Sequence, residues 1–158
     1  MTDRQSAHAT FHLERRYPCP PGRVFAAWAD PRAKADWFSG AGAVHELDFR
    51  TGGREVNRAR RADGAELVFE SWYRDIVADR RLVYTSTLTA AGALATVSLT
   101  TVEFHPDGDG TLLTLTEQGV YLDGGEQPAW REQGTGAWLD ALGAHLRRTA
   151  DATAGRAA

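Results

Sequence analysis

The chain has 158 residues, 42% of them hydrophobic and 25% charged, with a formal net charge of −3. That length suits one domain, which buries roughly 70% of the surface its unfolded chain exposes and so needs no disulfide or metal for stability. The net negative charge argues against general affinity for nucleic acid or anionic membrane. Cys19, the single cysteine, excludes an intramolecular disulfide and a thiolate metal cluster.

No apolar run approaches the roughly 18 residues needed to span a bilayer, and Met1–Ala9 has no stretch resembling a signal peptide. A reducing cytoplasm is the expected location. Lys34 is the only lysine, every other basic residue being arginine, a bias that base composition explains. Met1–Ala9 and Ala150–Ala158 lack periodicity, so a single domain over 10–149 with a loose tail at each end is expected.

The first element is a strand, Thr10–Tyr17, with Phe11, Leu13 and Tyr17 on one parity and His12, Glu14 and Arg16 on the other. Pro18, Pro20 and Pro21 end it, and the Pro20-Pro21 pair opens a short helix in which Val24, Phe25 and Trp28 take helical spacing. A second short helix runs from Pro31 to about Trp37. From Ala43 to Gln118 the signals are all β. His45, Leu47 and Phe49 alternate with charged residues until Gly52-Gly53 breaks the run. Strands follow at about Arg54–Arg61, Glu66–Ile76, Leu82–Thr89, Leu94–His105 and Thr111–Gln118, joined by short turns as in an antiparallel meander. The last element is a helix from about Pro128 to Thr149. Its residues Trp130, Gly134, Ala137, Trp138, Ala141, Leu142, His145 and Leu146 recur at i, i+3, i+4 and i+7. A helix of roughly 20 residues spans ~30 Å and can cross the whole sheet. For one helix to cover the sheet, the sheet must curl, and curling leaves space beneath the helix.

This order and five motifs resemble the family named for the activator of the heat-shock-protein-ninety ATPase, within the SRPBCC, START-like superfamily. The motifs are Pro20-x-x-x-Val24-Phe25-x-Ala27-Trp28-x-Asp30-Pro31 with Trp37-Phe38; Asp48-Phe49-Arg50-x-Gly52-Gly53-Arg54; Arg81-Leu82-Val83-Tyr84-Thr85; Gly110 to Thr116; and Trp130-x-x-x-Gly134-x-x-x-Trp138-Leu139-x-x-Leu142. The resemblance covers nearly all of Phe11–Arg148. It implies an α+β helix-grip fold: a curved antiparallel sheet of six to seven strands around a long C-terminal helix, with two short helices after the first strand. It also implies a hydrophobic cavity under that helix, which relatives use for lipids, hormones, secondary metabolites or polyketide cyclisation. The eukaryotic activators engage the chaperone through an additional N-terminal domain with no counterpart expected in 158 residues, so the family name does not carry its activity over.

Candidate site residues follow from strand parity and from the resemblance. In the last strand Glu117 continues the parity of Leu113 and Leu115, and Glu55 and Asn57 stand where the family pattern has large apolar residues. A buried unpaired charge is very costly, so these groups need partners, water or a ligand, and Arg15 is on the right parity of the first strand to serve. They form either the polar end of an apolar pocket or a structural ion pair near the sheet rim. Trp37, Phe69, Tyr84 and Tyr121 are the aromatic lining expected around them, and Trp130, Gly134 and Trp138 the helix face opposite, with a notch at Gly134. A Glu55–Glu117 carboxylate pair doing acid–base work is the enzymatic alternative.

The histidines His8, His12, His45, His105 and His145 show no metal-ligand spacing. There is no nucleophile elbow, phosphate loop or H-E-x-x-H. The Arg54, Arg58, Arg60 and Arg61 hairpin lacks the aromatic interleaving of a single-strand binder. The expected function is therefore binding of a small apolar or amphipathic molecule, without metal or cofactor and with no nucleic-acid or membrane partner. An enzyme using the same cavity (cyclase, dehydratase or hydrolase) and a chaperone-associated interaction module rank behind it. Monomer and homodimer both stay open.

Overall fold

A computed structural model gives the structure of the protein and describes residues 4–156, with side chains as far as residue 151. Seven strands form one antiparallel sheet: β1 (Ser6–Tyr17), β2 (Val44–Leu47), β3 (Arg54–Arg60), β4 (Glu66–Val77), β5 (Arg81–Ala90), β6 (Ala93–Asp107) and β7 (Gly110–Leu122). Their order is β1-β7-β6-β5-β4-β3-β2. The meander from β2 to β7 follows the chain, and β1 closes the far edge against β7. Between β1 and β2 lie α1 (Pro21–Ala29) and α2 (Pro31–Phe38), and the chain ends in α3 (Pro128–Arg156). This is the expected helix-grip fold.

Local chemistry explains the junctions. Proline occupies the first turn of both short helices, where its missing N–H costs nothing. Asp30 caps α2 by accepting from the backbone N–H groups of Arg32 and Ala33 at 2.8 and 3.3 Å. Strand β2 stops at Leu47, short of the alternation that ran to Phe49. Phe49 instead packs its ring on Phe25 and Tyr73, with centroids 5.6 and 5.1 Å away. At Gly53 a Cβ would meet the Asp48 carbonyl oxygen at 2.0 Å, so only glycine lets the chain double back there.

Both ends are longer than expected. Ser6–Ala9 belong to β1, paired with Leu122–Gly119 of β7, so the loose segment expected up to Ala9 is strand from Ser6 onward. At the other end the α3 backbone stays helical to Arg156. Residues 1–3 and 157–158 of the two expected tails lie outside the described residues.

The core sits between the concave sheet face and the helices. Val24, Leu82, Val102, Leu113 and Leu142 are all fully buried there. The Tyr17 hydroxyl donates to the Leu139 carbonyl oxygen at 2.7 Å and ties β1 to α3. Across the middle of the same face runs a row of small groups, Ser71, Ser86, Ser98 and Gly119, neighbours in register on β4, β5, β6 and β7. Small residues in the row leave the depth that larger side chains from α3 enter. Among the described residues no helix is long and apolar enough to cross a membrane.

Candidate ligand site

Two spaces lie under α3, divided by Phe69 and Trp138, which line both. The inner one is a narrow void of about 20 Å³, sized for a single water molecule. The outer one is a cleft of about 240 Å³. The single cavity expected from the sequence is thus split, and its candidate residues divide with it. Trp37, Glu55, Tyr84 and Glu117 line the void; Asn57, Trp130 and Gly134 line the cleft. Tyr121 is buried but lines neither space.

Glu55 is held by three partners. The Lys34 Nζ donates to it at 3.1 Å, the Tyr73 hydroxyl at 2.8 Å, and His45 Nε2 lies 2.6 Å from Oε2. Burial alone would push the Glu55 carboxyl up; the Lys34 charge and the hydrogen bonds from His45 and Tyr73 outweigh it and bring it down to about 2. Burial lowers the Lys34 ammonium against the pull of Glu55. The Lys34 Nζ also lies 4.7 Å from the ring centroids of both Trp28 and Phe38, a cation–π setting that helps hold a charge away from water. This is a structural ion pair, but it sits deep under α2 rather than at the sheet rim. Lys34 is thus a buried partner of Glu55 rather than a surface residue.

Glu117 has a separate set. It accepts from the Thr100 hydroxyl at 3.0 Å and from Arg131 Nε at 3.1 Å. Arg131 is itself buried on α3, its guanidinium carbon 5.0 Å from the centre of the Phe69 ring. Its other nitrogens reach Thr96 at 3.4 Å, Ser98 at 3.2 Å and both carboxylate oxygens of Glu126 at 3.3 and 3.2 Å. Burial opposes the Arg131 charge, and Glu117 with Glu126 more than restores it. The Tyr84 hydroxyl, between the two carboxylate systems, is pushed far up by burial and then by the Glu117 and Glu55 charges.

Arg15, the partner expected for these groups, turns instead to Asp140 at 2.8 Å. Glu55 and Glu117 are thus held by different cations, Lys34 and Arg131, an arrangement unlike an acid–base pair sharing a proton. Arg131, Glu126, His45 and Tyr73 carry these contacts and were missed from the sequence. The signals were present: a buried Glu117 demands a cation, and Arg131, Thr135, Trp138, Leu139 and Leu142 take helical spacing on α3.

The cleft is mainly apolar. Ala59, Leu67, Phe69 and Leu88 come from the sheet and Trp130 and Trp138 from α3, while Asn57, Glu126, Arg131 and Thr135 are its polar groups. The Asn57 Oδ1 accepts from the Ser39 hydroxyl at 2.9 Å. A Cβ at Gly134 would meet nothing within 4 Å, so the notch in α3 is open. Trp130, expected on the buried face, is 63% exposed at the cleft mouth. No three His, Cys, Asp or Glu side chains among the described residues gather as a metal site would require.

Residues 18–147 match the family described as Activator of Hsp90 ATPase homolog 1-like protein. The chain belongs to that family. Solved structures of family-like proteins overlay closely. An uncharacterized protein from Rhizobium leguminosarum is 39% identical with a TM-score of 0.89, over 93% of this chain and 99% of that one. The Mll3558 protein from Rhizobium loti is 43% identical with a TM-score of 0.84, over 89% and 99%. A protein from Chromobacterium violaceum is 29% identical with a TM-score of 0.74, over 87% and 96%. No curated protein matches the chain.

Proposed function

We propose that this member of the Activator of Hsp90 ATPase homolog 1-like family binds one small apolar or amphipathic molecule in the cleft between β3–β5 and α3. The observation that carries the reading is the open, mainly apolar cleft of about 240 Å³ with an unfilled notch at Gly134. Ligand sites are typically concave, apolar and fitted with a few polar groups that set orientation, and Asn57, Glu126 and Arg131 fit that description. The helix-grip architecture, whose superfamily uses this region for small molecules, supports the same reading. Glu55, Tyr84 and Glu117 then act behind Phe69 and Trp138 as the rigid floor of the site. Cys19 is free and buried, which suits a reducing compartment such as the cytoplasm.

The test is native mass spectrometry of freshly purified protein, followed by calorimetric titration with 1-naphthalenemethanol. The expected result is a saturable one-to-one change that Gly134→Leu abolishes. A linear, non-saturating response in the unmodified chain, with no retained molecule, would refute the proposal.

A further inference from the structure

We infer that the cleft prefers a one- or two-ring aromatic bearing a cationic amine and discriminates against the matching carboxylate. The inference rests on the ligand-binding reading above and adds the chemical class of the ligand.

Size comes first. An apolar cavity of about 150 Å³ accepts benzene, so the cleft of about 240 Å³ suits a molecule of roughly naphthalene size. Beside the aliphatic Ala59, Leu67 and Leu88, three aromatic rings line it: Phe69 on the sheet, Trp138 on the inner face of α3 and Trp130 at the mouth. Aromatic faces attract a cation and offer nothing equivalent to an anion.

Charge decides the head group. Among the described residues the one cation lining the cleft is Arg131, and all three of its guanidinium nitrogens already donate to protein oxygens. One face of the guanidinium is stacked over Phe69. It faces two carboxylates, Glu117 behind and Glu126 at the cleft wall, so the three groups together carry a net charge of −1. Glu126 accepts from Arg131 alone among the described hydrogen bonds, and its carboxyl is pushed up by burial, an effect Arg131 only partly offsets. An incoming ammonium would donate to Glu126 and complete its hydrogen bonding. An incoming carboxylate would meet the Glu126 charge, and the guanidinium could spare it at most one Nη2 hydrogen, its Nε and Nη1 being engaged by Glu117, Thr96 and Glu126.

The test is calorimetric titration of the full chain at neutral pH with three naphthalene probes that differ only in head group. These are 1-naphthylmethylamine, 1-naphthalenemethanol and 1-naphthoate. The amine should bind more tightly than the carboxylate by about tenfold or more, the scale of one hydrogen bond to a charged group, with the alcohol between them. Glu126→Gln keeps the shape and the contact to Arg131 but removes the charge. In that variant the gap between amine and carboxylate should collapse. Carboxylate binding equal to or tighter than the amine would overturn the inference and leave the binding reading standing, as would a gap that survives Glu126→Gln. Failure of all three probes to bind would overturn both.

Discussion

Lys34 and Glu55 face each other at 3.1 Å with side chains only 2% and 4% exposed. One comes from α2 and the other from β3, so the pair pins a short helix to the far side of the sheet. Removing one partner leaves the other charged and buried, which typically costs about 3–5 kcal/mol. Lys34→Met should therefore destabilise the fold by about that amount in urea unfolding. His45 and Tyr73 remain on Glu55 and keep the loss towards the lower end. A loss of about 1 kcal/mol or less, the scale of an exposed pair, would show that the site is wetter than the structure has it.

The same pair sets an acid dependence. The Glu55 carboxyl is brought down to about 2 in the folded chain, against an unfolded value of about 4.3. A group with a depressed folded pKa contributes fully above its unfolded value and loses that contribution as pH falls towards the folded one. Stability should thus be flat in Glu55's contribution above about pH 5 and fall between about pH 5 and 2, by roughly 3 kcal/mol from this residue. Asp36, lowered by hydrogen bonds from His145 and Arg148, adds a smaller change of the same sign. Urea midpoints measured from pH 7 to 3 check this, with Glu55→Gln as control. A curve for Glu55→Gln as steep as that of the unmodified chain would count against it.

What could be read in advance followed from periodicity. The strands from β3 to β7 alternate clearly, and the two proline-led helices announce themselves. Ser6–Ala9 gave only a weak signal because their apolar parity carries nothing larger than Ala7 and Ala9; those residues form strand because β7 extends to Leu122 and offers them an edge. Trp130 was placed on the wrong face by counting in fours. Eight residues make more than two turns, so Trp130 and Trp138 point about 80° apart. Lys34 lies three and four residues before Trp37 and Phe38, on the apolar side of α2, and a lone lysine there signals a buried partner. Pairings across the sheet, such as Arg131 with Glu117 and Ser98, depend on where a curved surface brings distant elements together. No local pattern encodes that.

Gly134 separates shape from stability. The space beside it is open, and replacing a helical glycine gains roughly 1 kcal/mol of helix propensity. Gly134→Leu should therefore melt no lower than the unmodified chain, and up to several degrees higher. Its side chain enters the cleft, so 1-naphthalenemethanol binding should fall by at least tenfold, the effect of about 1.4 kcal/mol of lost contact. A lower melting temperature, as when overpacking costs about 1–3 kcal/mol, would mean the notch is already filled by a neighbour.

Glu117 offers the sharpest distinction between a group that serves only a ligand and one that holds the fold. If it served only a ligand, Glu117→Gln would leave stability unchanged. The structure gives it a buried ion pair with Arg131 and a hydrogen bond from Thr100, so the change should cost about 1–3 kcal/mol. Arg131 keeps Glu126 as its counter-charge in that variant, which limits the loss. Arg131→Met should be worse, about 3–5 kcal/mol, because Glu117 is then left buried and unpaired. Glu126, 12% exposed, can turn towards water and suffers less. In the double variant the unpaired charge is gone, so the two losses should not add. A coupling of about 1–3 kcal/mol in the double-mutant cycle is expected. Additive losses would mean that Glu117 and Arg131 stabilise the fold independently and that their 3.1 Å contact contributes little.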